Sequence, residues 1–295
     1  MTKTPSIVAV LAIALWVATA HAQDWTAVEQ AIGRPGVAQP GDVYRFNFPR
    51  GDLRVMAAGV RLKPSFALGG WVAFKRVPGA IHGDVAMAMG DLVLTESELA
   101  RVITRLQQGG VEQTAIHHHL IRESPRILYV HIHAMDDPVK VAQTIRAALA
   151  LTRTPGPSPA AATSAIEIDT AAIARALGYS GRVNGGVYQV SVPRAEPIRE
   201  GDFEIPPAMG LATAINFQPT GKGKAAITGD FVMVASEANS VIRALRENGI
   251  EAVSLHSHLL GEEPRLFFMH FWANDDAAKL ARGLRAALDV TRSKK

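Results

Sequence analysis

Residues 117–131 read HHHLIRESPRILYVH, and residues 256–270 read HSHLLGEEPRLFFMH. The two stretches lie within a longer match, because residues 90–153 align with residues 229–292 without a gap and agree at 28 of 64 positions. Agreement at that level over an ungapped span indicates an internal duplication. Each half of the chain is therefore expected to fold as one copy of the same domain.

The segment between the two matching regions predicts the domain boundaries. Residues 153–165 are rich in proline, alanine and small polar residues, a composition that does not hold a regular element. We therefore expect a first copy over residues 24–152, a linker over residues 153–165 and a second copy over residues 166–292.

The N-terminus, residues 1–22, has the pattern of a secretory signal peptide. Lys3 precedes an apolar run over residues 7–18 that is too short to span a bilayer, and Ala20-His21-Ala22 is a small-x-small cleavage site. No later stretch of the sequence is long and apolar enough for a membrane helix. Cleavage near Ala22 would deliver a protein without an integral membrane segment to the periplasm or the exterior. The alternative is an uncleaved N-terminal anchor.

The composition excludes several classes of function. The chain of 295 residues contains no cysteine, which excludes thiolate metal sites, thiol catalysis and a lipid-modified N-terminal cysteine. With 48% hydrophobic residues, the chain can fold by burial without disulfides. The net charge of +4 is modest and the basic residues are dispersed, so we expect no nucleic-acid partner.

The hydrophobic periodicity of each copy predicts an α+β fold. A short helix and several strand-like runs come first, and the repeated region then reads strand–helix–strand–strand–helix. In the first copy, a capping box of Thr95 and Glu98 begins one helix, and Asp137-Pro138 begins the last. We predict two tandem copies of an antiparallel sheet with helices on one face, in which a β-α-β-β-α core is preceded by extra strands.

Side-chain alternation places the paired histidines on the face of each sheet that lacks helices. In the predicted strand over residues 111–121, His117 and His119 point away from the apolar side chains. A three-residue hairpin loop after this strand would bring His117 opposite His131. The two expected imidazole trios are His117, His119 and His131 in the first copy and His256, His258 and His270 in the second.

Three imidazoles on adjacent strands can form one facial set of nitrogen ligands. Such a set suits zinc and also copper, iron or nickel, so a transition metal, zinc first, is the expected cofactor. Glu123 and Glu262 each follow a paired histidine by four residues, and either is a candidate fourth ligand or general base towards a metal-bound water. The competing interpretation is a hairpin-tip carboxylate paired with a nearby arginine. Asp91 and Asp230 are expected to stabilise turns.

Several segments resemble the LppY/LpqO family of bacterial envelope proteins, a duplicated domain without a known function. The resembling segments are residues 67–74, 90–94, 117–131, 229–232, 255–265 and 269–272. Family members typically carry asparagine between the paired histidines, where this chain has His118 and Ser257. The namesake members are lipoproteins, whereas this chain lacks the cysteine for such an anchor. The resemblance implies the tandem architecture and export, and it implies no reaction.

Three functions remain open at this point. The first is an exported protein that binds a transition metal through the trios, either for hydrolysis or to hold the metal or a ligand. The second is a non-enzymatic envelope module that binds a small molecule or a glycan beside Phe268 and Trp272. In the third, the histidine faces pack the copies together. Convergence of three ring nitrogens on one point would favour the first. The oligomeric state is open.

Overall fold

The computed structural model describes residues 23–80, 83–157 and 165–295, so the predicted signal peptide and most of the linker lie outside the described residues. The elements of the first copy are α1 (Thr26–Ile32), β1 (Val37–Gln39), β2 (Val43–Pro49), β3 (Met56–Ala57), β4 (Val60–Arg61), α2 (Pro64–Ala67), β5 (Gly69–Arg76), β6 (Ala86–Thr95), α3 (Glu96–Gln108), β7 (Glu112–His117), β8 (Glu123–Ser124), β9 (Ile127–Asp136) and α4 (Pro138–Leu149). The elements of the second copy are α5 (Thr170–Leu177), β10 (Arg182–Asn184), β11 (Val187–Pro193), β12 (Ile198–Glu200), β13 (Phe203–Ile205), a 3₁₀ turn (Pro207–Met209), β14 (Ala212–Gly221), β15 (Lys224–Val234), α6 (Ala235–Glu247), β16 (Glu251–His256), β17 (Leu266–Asp276) and α7 (Ala277–Leu288). In this part of the chain, every helix is too short or too polar to cross a membrane.

Each copy builds one six-stranded sheet in which all neighbours are antiparallel. The strand orders are β1-β2-β5-β6-β9-β7 and β10-β11-β14-β15-β17-β16. Equivalent strands occupy equivalent positions, so the duplication of the sequence is also a duplication of topology. This arrangement confirms the predicted α+β class.

Three helices cover one face of each sheet. In the first copy, Val28, Val102 and Ile145 of α1, α3 and α4 pack in one buried cluster with Phe74 and Val130 of the sheet. Helices α5, α6 and α7 form the equivalent cluster in the second copy. Each buried aliphatic side chain contributes about 1.5–3 kcal/mol of hydrophobic stabilisation. The helix side of each sheet is therefore a complete core within one copy.

The remaining faces of the two sheets pack against each other. In one apolar cluster that spans the copies, Phe66 meets Trp272 edge-on, with ring centroids 6.2 Å apart. In a second such cluster, Met89 lies with Met209 and Phe268. The chain thus has four layers, with helices outside and two sheets inside. The histidines lie between the sheets.

The strand pairing beside the histidines differs from the predicted hairpin. Strand β7 ends at His117, so His119 lies in the connection that follows. Ala115, and not His117, stands opposite His131, with a bulge between Gln113 and Ala115. The connection contains strand β8, which pairs with β3, a contact distant in sequence. The observed register differs from the predicted one by two residues. A shift of two residues leaves each side chain on the same face of the sheet, so His117 and His131 still share a face.

Candidate metal centre

All six predicted histidines lie in one cluster between the two sheets. The rings of His117 and His256 stack with their centroids 3.9 Å apart. The ring centroids of His119 in the first copy and His270 in the second are 3.8 Å apart. Those of the equivalent pair, His258 in the second copy and His131 in the first, are also 3.8 Å apart. The sequence predicted one trio in each copy. The structure instead interleaves the trios around a pseudo-twofold axis.

Two aspartates complete the cluster, and our expectation that they stabilise turns is wrong. Asp91 lies in β6 and Asp230 in β15, where they pair in register with His131 and His270. Asp91 Oδ2 lies 3.1 Å from His119 Nε2. In the second copy, Asp230 Oδ2 lies 2.9 Å from the equivalent atom, His258 Nε2. Strand parity, which located the histidines, would also have placed both carboxylates on the inner face.

Main-chain carbonyls orient three of the imidazoles, one of which is His258, whose Nδ1 donates to the carbonyl oxygen of Gly210 at 3.0 Å. His131 Nδ1 donates to the carbonyl oxygen of Gly90 at 3.2 Å, and His270 Nδ1 donates to that of Gly229 at 2.7 Å. A ring that donates through Nδ1 presents Nε2 as a lone-pair ligand. The strand that carries each aspartate therefore also fixes the tautomer of the neighbouring histidine.

Eight polar atoms of the cluster lack hydrogen-bond partners among the described residues. The buried atoms without a partner are Asp91 Oδ1, His117 Nδ1, His119 Nε2, His131 Nε2, Asp230 Oδ1, His256 Nδ1, His256 Nε2 and His258 Nε2. The contacts of His119 and His258 with the aspartates are short but do not satisfy hydrogen-bond geometry. Buried polar groups are normally paired, and each unpaired one costs about 1–3 kcal/mol. A cation bound among these atoms would give their lone pairs a partner.

The spacing of the ring nitrogens and carboxylate oxygens fits metal coordination. Four sets of three ligand atoms each lie within 4.8 Å of one another. These sets are His117–His119–His270, His117–His131–His256, Asp91–His119–His131 and Asp230–His256–His258. The Nε2 atoms of His117 and His270 are 3.2 Å apart. Two nitrogens bound to one tetrahedral zinc ion lie about 3.3 Å apart, given Zn–N bonds of about 2.0–2.1 Å.

Burial lowers the pKa of five of the imidazoles and keeps those five neutral. It lowers the pKa of His119 and His270 to about 3 and that of His256 to about 2, although the negative charge of Asp230 partly offsets the shift. Burial, and then the neighbouring imidazoles, also hold the pKa values of His117 and His131 below their usual range. Neutral imidazole is the form that binds metal, so these rings are ready to act as ligands at pH 7.

The pKa of the Asp91 carboxyl is raised, whereas the pKa values of these histidines are lowered. Burial raises its pKa to about 6, and the nearby imidazoles oppose the shift. A carboxyl that is costly to ionise without a counter-charge is stabilised when a cation binds beside it. The raised pKa of Asp91 and its position beside His119 are therefore both consistent with a carboxylate that binds a cation.

The two predicted catalytic glutamates lie outside the four ligand sets. Glu262 is 3% exposed, accepts from the main-chain N–H of Leu266 at 2.8 Å and pairs with Arg265 at 3.1 Å. Glu123 accepts from the main-chain N–H of Ile127 at 3.4 Å. The contacts of Glu262 match the interpretation as a hairpin carboxylate paired with arginine. Proton transfer by either glutamate stays a prediction.

The histidines and aromatic residues around the cluster have other contacts. His118 Nδ1 lies 3.1 Å from the carbonyl oxygen of Ile127, and His133 Nε2 lies 3.0 Å from Glu200. The ring of Phe268 stacks on His258 with centroids 3.4 Å apart. Phe268 and the equivalent Tyr129 therefore form the aromatic walls against which the second histidine of each pair rests.

Comparisons with known proteins give a family without an assigned function. A comparison with the curated proteins finds no match. Among solved structures, the chain is similar to a trimeric bacterial microcompartment shell protein, PduB, at 13% identity and a TM-score of 0.21, over 86% of this chain and 89% of that one. A likeness that distant supports no argument about fold or function. The family described as Domain of Unknown Function (DUF1259) matches residues 26–151 and again residues 171–290. These matches span most of the sequence, and the chain belongs to that family, with two copies of its domain in tandem.

Proposed function

We propose that this protein binds and holds a transition metal, with zinc as the expected ion, in the centre between its two copies. The observation that carries the proposal is the group of eight buried polar atoms in one cluster that lack protein partners. The donors are imidazoles and carboxylates. Imidazole-rich sites suit zinc, copper, iron and nickel, and carboxylate completes many zinc sites.

Enclosure of the centre favours holding the metal over hydrolysis. The side chains of His256, His258 and His270 are 4–6% exposed, and that of His119 is 16% exposed. A hydrolytic metal needs an open coordination position and space for a substrate. Glu262, the sequence's candidate base, is engaged by Leu266 and Arg265. Of these four side chains, that of His119 is the most exposed.

Elemental analysis of the full chain, purified without a histidine tag, tests this function. We expect bound zinc that survives gel filtration, and a melting temperature that falls when a chelator removes it. The variant with both His117→Ala and His256→Ala should lose the metal, since these rings stack at the middle of the cluster. The control His118→Ser introduces the residue that stands at the equivalent position of the second copy and should keep it. A metal-free protein whose melting responds neither to chelator nor to added zinc would overturn the proposal.

We also propose that the protein acts outside the cytoplasm. The signal-peptide pattern of residues 1–22 and the resemblance to LppY/LpqO envelope proteins support this location. Fractionation of cells that express the full chain should recover the protein in the periplasm or the medium with an N-terminus near Gln23. Recovery of the uncleaved chain in the cytoplasm would contradict export and leave the metal proposal intact.

A further inference from the structure

The centre contains more donors than one ion can use. Six imidazoles and two carboxylates meet there. Zinc in proteins is almost always four-coordinate, and even an octahedral ion takes six ligands. A single ion would leave several donors buried without a partner, which is unfavourable.

The donors include two groups of three that share no residue, although their rings contact each other across the centre. The first pole is Asp91, His119 and His131, and the second pole is Asp230, His256 and His258. Within each pole, the three ligand atoms lie within 4.8 Å of one another, and the poles share no residue. Each pole comes from a single copy and includes one carboxylate, so two divalent cations would meet the same local charge.

Two imidazoles remain to complete the poles. His270 Nε2 lies 3.9 Å from Asp230 Oδ2, which puts this ring beside the second pole. His117 forms one close set with His119 and His270 and another with His131 and His256, so it lies within reach of both poles, and we assign it to the first, which otherwise has three donors. One further imidazole at each pole gives four donors per ion, the number that zinc prefers.

We propose that the centre binds two metal ions, one at each pole. This inference rests on the proposed metal-binding function and adds the number and location of the ions. The competing arrangement is a single ion at the pseudo-twofold axis, held by His117, His131 and His256. The two arrangements differ in stoichiometry and in the importance of the aspartates, because the axial set contains neither carboxylate.

Stoichiometry separates the two arrangements. Chelator-stripped full chain is titrated with Co²⁺, followed by its visible absorption, and with Zn²⁺, followed by elemental analysis after gel filtration. We expect two ions per chain. Saturation at one ion would overturn the two-ion inference and leave the metal-binding function standing. Failure to bind either ion would overturn the metal-binding function itself.

Substitution of each aspartate locates the ions. Asp91→Asn and Asp230→Asn each preserve side-chain size, and each variant should bind one ion instead of two. The control His118→Ser should bind two. If either variant keeps two ions at undiminished affinity, the assignment of an ion to that pole is wrong. Electron paramagnetic resonance of the unsubstituted chain loaded with Cu²⁺ decides the matter if an asparagine variant fails to fold. Coupled copper spins support two neighbouring ions, and a single isolated spin contradicts them.

Discussion

Gly90 and Gly229 permit the close approach of strands on which the centre depends. A Cβ atom at Gly229 would lie 1.9 Å from the carbonyl oxygen of Ala214, and one at Gly90 would lie 2.7 Å from that of Trp71. Because both contacts are with main chain, only a shift of a neighbouring strand would relieve them. The same glycines accept the hydrogen bonds of His131 and His270. Each of these glycines therefore serves two purposes: it lets the neighbouring strand approach closely, and its carbonyl oxygen orients a histidine of the cluster.

Gly229→Ala should therefore destabilise the fold and weaken metal binding. We expect a loss of about 1–3 kcal/mol in the free energy of unfolding, typical of overpacking in a closely packed interior. Urea unfolding with and without zinc measures both effects. Gly51→Ala is the matched control, because a Cβ there would meet nothing within 4 Å. Equal unfolding midpoints for Gly229→Ala and the unsubstituted chain would show that the strand can yield without cost.

The edge strands β7 and β16 tie together the two connections that carry His119 and His258. Thr114 Oγ1 donates to the carbonyl oxygen of His258 at 2.7 Å, and Ser257 Oγ donates to that of Thr114 at 3.1 Å. Ser254 Oγ donates to the carbonyl oxygen of His118 at 2.6 Å. These three bonds cross between the copies, so they hold each histidine connection against the opposite edge strand.

Thr114→Val should loosen this junction. The second copy has Val253 at the equivalent position, so the substitution conserves shape and removes the hydroxyl alone. It leaves a buried carbonyl unpaired, and we expect a loss of about 1–3 kcal/mol in the free energy of unfolding. Thr104→Val, on an exposed helical position, is the control. A destabilisation no larger than that of the control would mean that the inter-copy bond contributes nothing net.

Local patterns were sufficient for several elements and for the histidine face, although the strand predicted over residues 111–121 ends at His117. The capping box of Thr95 and Glu98 predicted the start of α3, and alternation placed His117 and His131 on one face. The interleaving of the trios could not be predicted from local patterns, because the packing of one sheet against the other depends on contacts between residues that are distant in the chain. The register error arose where β7 has a bulge between Gln113 and Ala115, which the alternation of side chains did not indicate. Asp91 was missed because Gly-Asp is typical of turns, although here it lies within a strand.

Burial of many neutral imidazoles has a consequence for the stability of the whole molecule. The pKa values of His119, His256 and His270 lie at about 2–3 in the folded protein, whereas an unfolded histidine titrates near 6.5. Between these values, the unfolded chain takes up protons that the folded chain does not. The stabilising contribution is therefore complete above about pH 6.5 and declines as the pH falls. Asp91, with its raised pKa, acts in the opposite sense but is a single group.

The metal-free protein should consequently lose stability as the pH decreases from 7.5 to 5. Each such histidine contributes up to about 1.4 kcal/mol per pH unit below 6.5. Urea unfolding at pH 7.5, 6.5, 5.5 and 5.0 after chelation measures the slope. Replacement of His119 by phenylalanine, a neutral ring, should make the slope shallower, because the pKa of His119 is lowered in the folded protein. A stability that is constant over this range would contradict the burial of neutral imidazoles.

The pseudo-twofold axis between His117 and His256 describes how a homodimer of one copy would be built. Two identical chains meeting on that axis would present the same rings to each other at the same separations, as a symmetric interface requires. Fusion into one polypeptide makes their association independent of protein concentration. It also releases the two halves from identity, and positions such as Tyr129 and Phe268 have already diverged. A single copy would have to dimerise to assemble the same set of donors, whereas the fused chain contains both halves in one molecule.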